Sequence, residues 1–374
     1  MGSRDAGPAD AASEAPVDAD TAPPMPMPLV TDLGGPKLTA VRVVTVSFSN
    51  DDPNLVASLQ SFDDAITSTA WWSAVASEYG VGAGAGGGHV VLPMAASSAY
   101  TDSVRGGDSS VRQLIQSSVA SGALPAPDAQ TLYVLFFPSG SILRLDGISA
   151  CAPPGGTGWH DAVTVTPPEA GPAVDVAYAV LPRCQSDLAA MTLAASHEIV
   201  ESATDPSPEN APAVQMTDPA WLAFGPEVAD VCIAVDTNLT TTDSGFSVQR
   251  SWSNASAKAG HDPCVPTLAG TAYFNVAPAT GTEELTLAVG ESASFALYAE
   301  SDADAGPWQV QPVVTNGSSS LGVTVDRSTV RAGDHAIATV TLQSPPTLGA
   351  TELYGFVSEA NGATYVRPML VQAR

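Results

Sequence analysis

Apolar residues along this chain are arranged in three textures. Continuous β-branched and aromatic runs occupy residues 41–48, 131–137 and 174–181. Runs with no polar face predict strands covered on both sides. Helical stretches are expected between them at 54–66, at 69–79 with Trp71 and Trp72, and at 109–120. A further helix is expected to start at Asp187, an N-cap residue type. It runs through the good helix formers of 188–195 and stops at Pro206. Strands alternating with helices predict an α/β (α+β) domain, here over residues 37–268. The glycine-rich run 81–88 is no phosphate loop, because neither Lys-Ser/Thr nor a helix pattern follows it, and it is expected to be a flexible rim or tight turn.

Residues 269–374 read differently. Short segments at 285–290, 293–299, 321–325, 336–342 and 354–358 are punctuated by Gly, Asn and Pro and alternate with period two. This predicts an all-β immunoglobulin-like sandwich. It carries no cysteine and no clustered His or acid, so no chemistry is expected there, and His335 is expected in a loop. Residues 1–36 are rich in Ala, Asp and Pro with little to bury, which predicts a disordered leader. That leader resembles the tether behind the lipidated cysteine of a bacterial lipoprotein, which implies a lipid anchor on the precursor.

One stretch carries chemistry that this patterning does not require. In Ser196-His197-Glu198-Ile199-Val200-Glu201, the H-E-x-x-E spacing puts His197 and Glu201 one helical turn apart on one face, where both reach one ion. Glu198 points about a quarter turn away, the place of the glutamate that takes a proton from water in H-E-x-x-H hydrolases. A solvated helix face would explain the same residues. However, the turn before them, Met191 to Ala195, is almost wholly apolar, so the cluster is expected to face inward. Buried acids then need a metal or a partner charge. Zinc is the expected ion, with calcium as an alternative.

Charge and cysteine content narrow the setting. Thirteen basic residues against 39 acidic ones give a net charge of −26, which argues against nucleic acid or an anionic membrane surface as a partner. No apolar stretch reaches the roughly 18 residues of a membrane span. Four cysteines, Cys151, Cys184, Cys232 and Cys264, form no C-x-x-C pair. An even count in an export-type composition favours disulfides, hence an extracellular or cell-surface location in an oxidising compartment. Of three connectivities, Cys151 with Cys184 and Cys232 with Cys264 is preferred, each pairing worth roughly 3 kcal/mol.

Ala70-Trp71-Trp72 with Glu78-Tyr79, Cys151 through Trp159-His160, Cys184, the H-E-x-x-E segment with Thr204-Asp205-Pro206, Glu227 through Cys232, and Trp252-Ser253-Asn254 with Cys264 together resemble the EXORDIUM-like, or phosphate-induced protein, family. The resemblance spans roughly residues 40–266. It implies a secreted globular domain and brings no proven reaction. Asp205 and His261 are weaker ligand candidates on that comparison.

A zinc hydrolase needs a third protein ligand. Glu227 and Asp230 point the same way if their segment is helical, an arrangement that resembles thermolysin-like enzymes, with Glu227 binding and Asp230 bracing. If the segment is extended only one of them reaches the ion, and Asp230, beside Cys232, is preferred. His160 is the other candidate, as a ligand or as a donor to the oxyanion; bonding to Asp161 in a loop is its simpler account. His89 is expected to be a strand histidine and Tyr178 a core residue. The expectation is a zincin-like zinc metallopeptidase acting on peptides or proteins, with Glu198 as general base and His160 assisting. The alternative is a non-catalytic extracellular binding or signalling protein with a structural metal.

Overall fold

Val30 opens the first of many short elements that the sequence patterning only partly anticipates. The computed structural model describes residues 22–104, 106–152, 158–168, 171–185, 187–314, 320–346 and 350–374. In chain order come β1 (Val30–Asp32), β2 (Arg42–Phe48), α1 (Pro53–Ile66), α2 (Ala70–Ala76), β3 (Ala85–Leu92), β4 (Ala99–Asp102) and α3 (Ser110–Ala120). Then follow β5 (Thr131–Phe136), β6 (Ile142–Leu145), β7 (Ile148–Ser149), β8 (Trp159–Val165), β9 (Val174–Leu181) and α4 (Leu188–Thr204). The lobe ends with β10 (Val214–Met216), α5 (Pro219–Leu222), α6 (Val228–Val235), β11 (Thr240–Asp243), β12 (Phe246–Gln249), β13 (Ser251–Trp252), α7 (Asn254–Ala259) and β14 (Cys264–Val265).

Five strands make its main sheet in the order β3-β2-β5-β9-β8. The first four run parallel and β8 lies antiparallel on β9 at the edge. The apolar runs are buried on both faces because each face has its own cover. Leu132, Val134 and Phe136 of β5 pack with α1, α2 and α4, while Tyr133 and Leu135 pack with α3 and the small β4-β6-β7 sheet. Asp187 caps α4 by accepting from the Ala190 N–H, and the helix stops at Asp205, before Pro206. From Ala195 to Thr204 every residue of α4 is buried, between β9 and β8 on one side and β12 and α6 on the other.

From Ala85 onward the glycine run is a strand rather than a turn. Gly86 to Gly88 pair with β2, and a Cβ on Gly86 would lie 2.3 Å from Asp64 Oδ1, so the close approach of α1 requires a residue without one. The period of a strand cannot be read where there are no side chains.

The second lobe is a β-sandwich. Its strands are β15 (Phe274–Pro278), β16 (Glu284–Leu287), β17 (Ser292–Ser301), β18 (Trp308–Val314), β19 (Leu321–Val325), β20 (Thr329–Val330), β21 (His335–Leu342), β22 (Thr351–Ala360) and β23 (Ala363–Ala373). Sheets β15-β17-β21-β19 and β16-β23-β22-β18-β20 enclose a core that includes Phe274, Trp308, Phe356 and Met369. His335 starts β21 and is exposed, so it belongs to a strand, not a loop.

The leader expectation needs correction over residues 22–36; residues 1–21 lie outside those described. Met25 is buried in the sandwich core and its N–H donates to the Pro278 carbonyl, while β1 pairs with β10 of the first lobe. Pro-rich composition hid three apolar anchors, Met25, Met27 and Val30, that hold an extended strap without helix or long strand. Arg367 of β23 is fully buried against that strap, donating to the Met25 and Pro26 carbonyls with its guanidinium 5.6 Å from the Trp221 ring centroid.

Both expected disulfides are present, Cys151–Cys184 and Cys232–Cys264. That chemistry suits a secreted or oxidising-compartment protein. Among the described residues no helix is long and apolar enough to cross a membrane.

Candidate metal centre

Three elements meet at one end of α4. Strand β8 brings His160, α4 brings His197, Glu198 and Glu201, and the segment entering α6 brings Glu227 and Asp230. His160 faces α4 because Trp159 and Asp161, its neighbours in a period-two strand, face the other side. There the Trp159 indole N–H and the Tyr178 hydroxyl donate to Asp102, while Arg112 pairs with both Asp102 and Asp161. That array pins the edge strand from behind. The Pro-Gly-rich residues 153–157 that precede it lie outside the described residues. Gly158 leaves room for the site, since a Cβ there would come within 2.9 Å of Glu198 Oε1.

His197 Nε2 lies 2.9 Å from Glu201 Oε2, 3.5 Å from Asp230 Oδ1 and 3.9 Å from Glu198 Oε1. Its other nitrogen, Nδ1, is 3.1 Å from the side-chain oxygen of Gln249. The Gln249 amide nitrogen donates to the Ala229 carbonyl at 2.8 Å, which fixes the orientation of that amide. Nδ1 therefore donates to Gln249, and Nε2 is the nitrogen turned toward the acids. The second oxygen of Glu201, Oε1, accepts the N–H groups of Ala229 and Asp230, both at 3.0 Å, so the first turn of α6 docks on this carboxylate.

His160 is equally enclosed. Its Nε2 meets the Asp205 carbonyl at 3.1 Å and Glu227 Oε1 at 3.0 Å, and its Nδ1 is 3.2 Å from Glu198 Oε2 and 4.0 Å from Glu201 Oε2. It is a strand residue engaged with acids across the sheet face, not a loop residue bonded to Asp161. Both ring nitrogens being occupied, it has no free donor for a substrate oxyanion. Glu227 and Asp230 do not act as alternatives for one place: Glu227 faces His160, and Asp230 faces His197.

The cluster is nearly dry. His160, His197, Glu198 and Glu201 keep 4%, 4%, 1% and 2% of their surface, while the Asp230 side chain keeps 32% where a cleft of about 440 Å³ opens. Val104, Leu145, Trp159, Leu222 and Pro226 give the cleft apolar walls, with Glu209 and Gln215 at its polar side. Burial pulls the His160 pKa down, but Glu227 and Glu198 outweigh it and hold that pKa well above the ordinary histidine value. Burial acts likewise on His197, and Glu201, Glu198 and Asp230 outweigh it. Glu201 is held below the usual carboxylate range, where His197 and His160 overcome burial. Burial, reinforced by Glu201, pushes Glu227 up to about 8 and Asp230 up to about 7.

Other expected or possible ligands fall elsewhere. His89 lies in β3 and pairs with Asp64 at 2.9 Å, and His261 is exposed beside Asp302 at 3.4 Å. Asp205 is buried next to the cluster, but its carboxylate turns away to accept the Ala213 N–H. Asp236, Asp262 and Cys264 also converge, yet the two acids are paired with the buried Arg250 guanidinium and the sulfur is in a disulfide. Gln249 is the residue that sequence reasoning missed. It lies 52 positions from His197 and carries no motif.

No family model matches the chain, and no curated protein matches it. Solved structures resemble only part of it. Domains 4 and 5 of the S-layer protein SbsC match at 12% identity over 28% of this chain and 53% of that one, with a TM-score of 0.21. The periplasmic chaperone SfaE matches at 9% identity over 28% and 57%, TM-score 0.20. The secreted serine protease VesC from Vibrio cholerae matches at 8% identity over 27% and 23%, TM-score 0.20. The chain thus spans between 23% and 57% of the length of these chains.

Proposed function

We propose that this chain is a divalent-metal-dependent hydrolase, a zinc metallopeptidase of zincin-like design, exported or displayed at the cell surface and related to the EXORDIUM-like family. His197 Nε2, Glu201 Oε2 and Asp230 Oδ1 would hold the ion. The observation that carries the reading is their convergence at the floor of a cleft, with His197 Nε2 turned toward two carboxylate oxygens by Gln249. Glu227 supports it further, as a buried carboxylate beside them whose Oε1, 3.0 Å from His160 Nε2, lies outside donor geometry. A donor set containing imidazole favours zinc over calcium, which takes oxygen ligands.

The ion, when bound, would supply Lewis-acid chemistry, acidifying a water and polarising a peptide carbonyl. Glu198, on the same helical turn, takes the proton of the attacking water and returns it to the departing amine. His160 holds Glu198 Oε2 in position, and the apolar cleft walls receive side chains of the substrate. One imidazole and two carboxylates neutralise a divalent ion, so water is acidified less than beside two imidazoles. Turnover is therefore expected to be slow and to rise toward alkaline pH.

The test is Glu198→Gln, assayed on a peptide library with zinc present. Cleavage is expected to fall about 10²–10⁴-fold while the ion at His197 remains. Unchanged cleavage would overturn the mechanism. Zinc-dependent melting without cleavage of any peptide would favour the second reading, a structural metal in a binding or signalling protein, which the pairing of Glu198 with His160 also suits.

A further inference from the structure

We infer that the cluster is built for two divalent cations, the second seated between His160 Nδ1, Glu198 Oε2 and Glu201, which both ions share. The inference rests on the reading that the first ion lies at His197, Glu201 and Asp230.

Two histidines are arranged in the same way by unrelated parts of the fold. His197 gives one nitrogen to the Gln249 side-chain carbonyl, and His160 gives one to the Asp205 backbone carbonyl. In each case the remaining nitrogen faces carboxylate oxygens, His197 Nε2 toward Glu201 and His160 Nδ1 toward Glu198. A divalent cation would take the place of the proton between each of these nitrogens and its carboxylate, and one such cation would serve each histidine. The ligand atoms form two groups, His160 with Glu198 and Glu201, and His197 with Glu201 and Asp230, each within 4.8 Å and with Glu201 common to both.

Charge counting agrees. Glu198, Glu201, Glu227 and Asp230 carry four negative charges when ionised, which two divalent ions balance and one does not. A first ion at His197 would leave Glu198 and Glu227 buried beside His160 with only protons to offset them. Glu227 is 9% exposed, lines the cleft and has a carboxylate oxygen without a hydrogen bond, 3.0 Å from His160 Nε2 but outside donor geometry. Proton transfer by Glu198 belongs to the one-ion state; with both seats filled Glu198 is a ligand.

Equilibrium dialysis of the metal-free full chain against Zn²⁺, read by elemental analysis, and Mn²⁺ titration read by electron paramagnetic resonance test this together. Two equivalents and an exchange-coupled manganese signal are expected. His160→Ala and, separately, Glu198→Gln should each retain one equivalent with an isolated-ion signal. One equivalent in the parent chain, with no coupled signal at saturation, overturns the second seat and leaves the single-ion proposal standing. Two equivalents that survive both substitutions also overturn it. No bound metal at all overturns both.

Discussion

Gln249 decides which nitrogen His197 offers to a metal. Replacing it by Leu keeps the bulk but removes the acceptor of Nδ1–H, so zinc affinity is expected to fall roughly 10–100-fold, measured by competition with a chromophoric chelator. Unchanged affinity would mean that His197 needs no help. The sequence could not reveal this contact, because it exists only once β12 lies against α4. His197, Glu198 and Glu201 were legible for the opposite reason: one turn of helix puts them together whatever the surroundings, and the apolar turn before them marked the face as inward. Asp63, in α1, offers a test by pH. Burial pushes it up to about 8 against the opposing Thr45 hydroxyl, and its Oδ1 has no hydrogen-bond partner. Unfolded, it titrates near 4. From there up to about 8 the folded chain binds the extra proton, so its stability falls as pH rises, by about 1.4 kcal/mol per pH unit. Asp63→Asn removes that slope. Its melting temperature relative to the parent should climb between pH 4 and 8, and a constant difference would contradict the assignment.

At the scale of elements, α6 is the piece that completes the site, and its position depends on distant partners. Its first turn docks on Glu201, and Cys232, two residues beyond Asp230, ties it to β14 through Cys264. Removing both sulfurs, Cys232→Ala with Cys264→Ala, is expected to cost roughly 3 kcal/mol of stability and to weaken zinc binding, read by calorimetry and by chelator competition. A lower melting temperature with intact zinc affinity would show that Glu201 alone holds α6. Sequence spacing favoured this pairing of cysteines. Whether 227–230 was helical or extended stayed open, because eight residues of helix, Val228–Val235, are too few for periodicity to declare. The outcome is mixed: Asp230 lies in the helix, and Glu227 stands at its cap, so each acid meets a different histidine.

Across the whole molecule, the two lobes share a strap. Residues 22–36 reach from Pro278 in the sandwich to β10 beside the cleft, and the sandwich strand β23 buries Leu370 in the core of the first lobe. Deleting residues 1–36 should lower the melting temperature and split a single calorimetric transition into two; one unchanged transition would mean that the strap only lies on the surface. Alternating runs made the α/β lobe and the sandwich legible from sequence, since burial of whole strands leaves a pattern. An irregular strap anchored by a few methionines and one valine leaves none. The claim on which the rest depends is an ion at the meeting of β8, α4 and α6. A crystal grown with zinc, measured at the zinc absorption edge, tests it most directly. The account predicts an anomalous peak within bonding distance of His197 Nε2, Glu201 and Asp230, and no peak there in His197→Ala. Full zinc in the crystallisation medium with no anomalous density between those three side chains would contradict it.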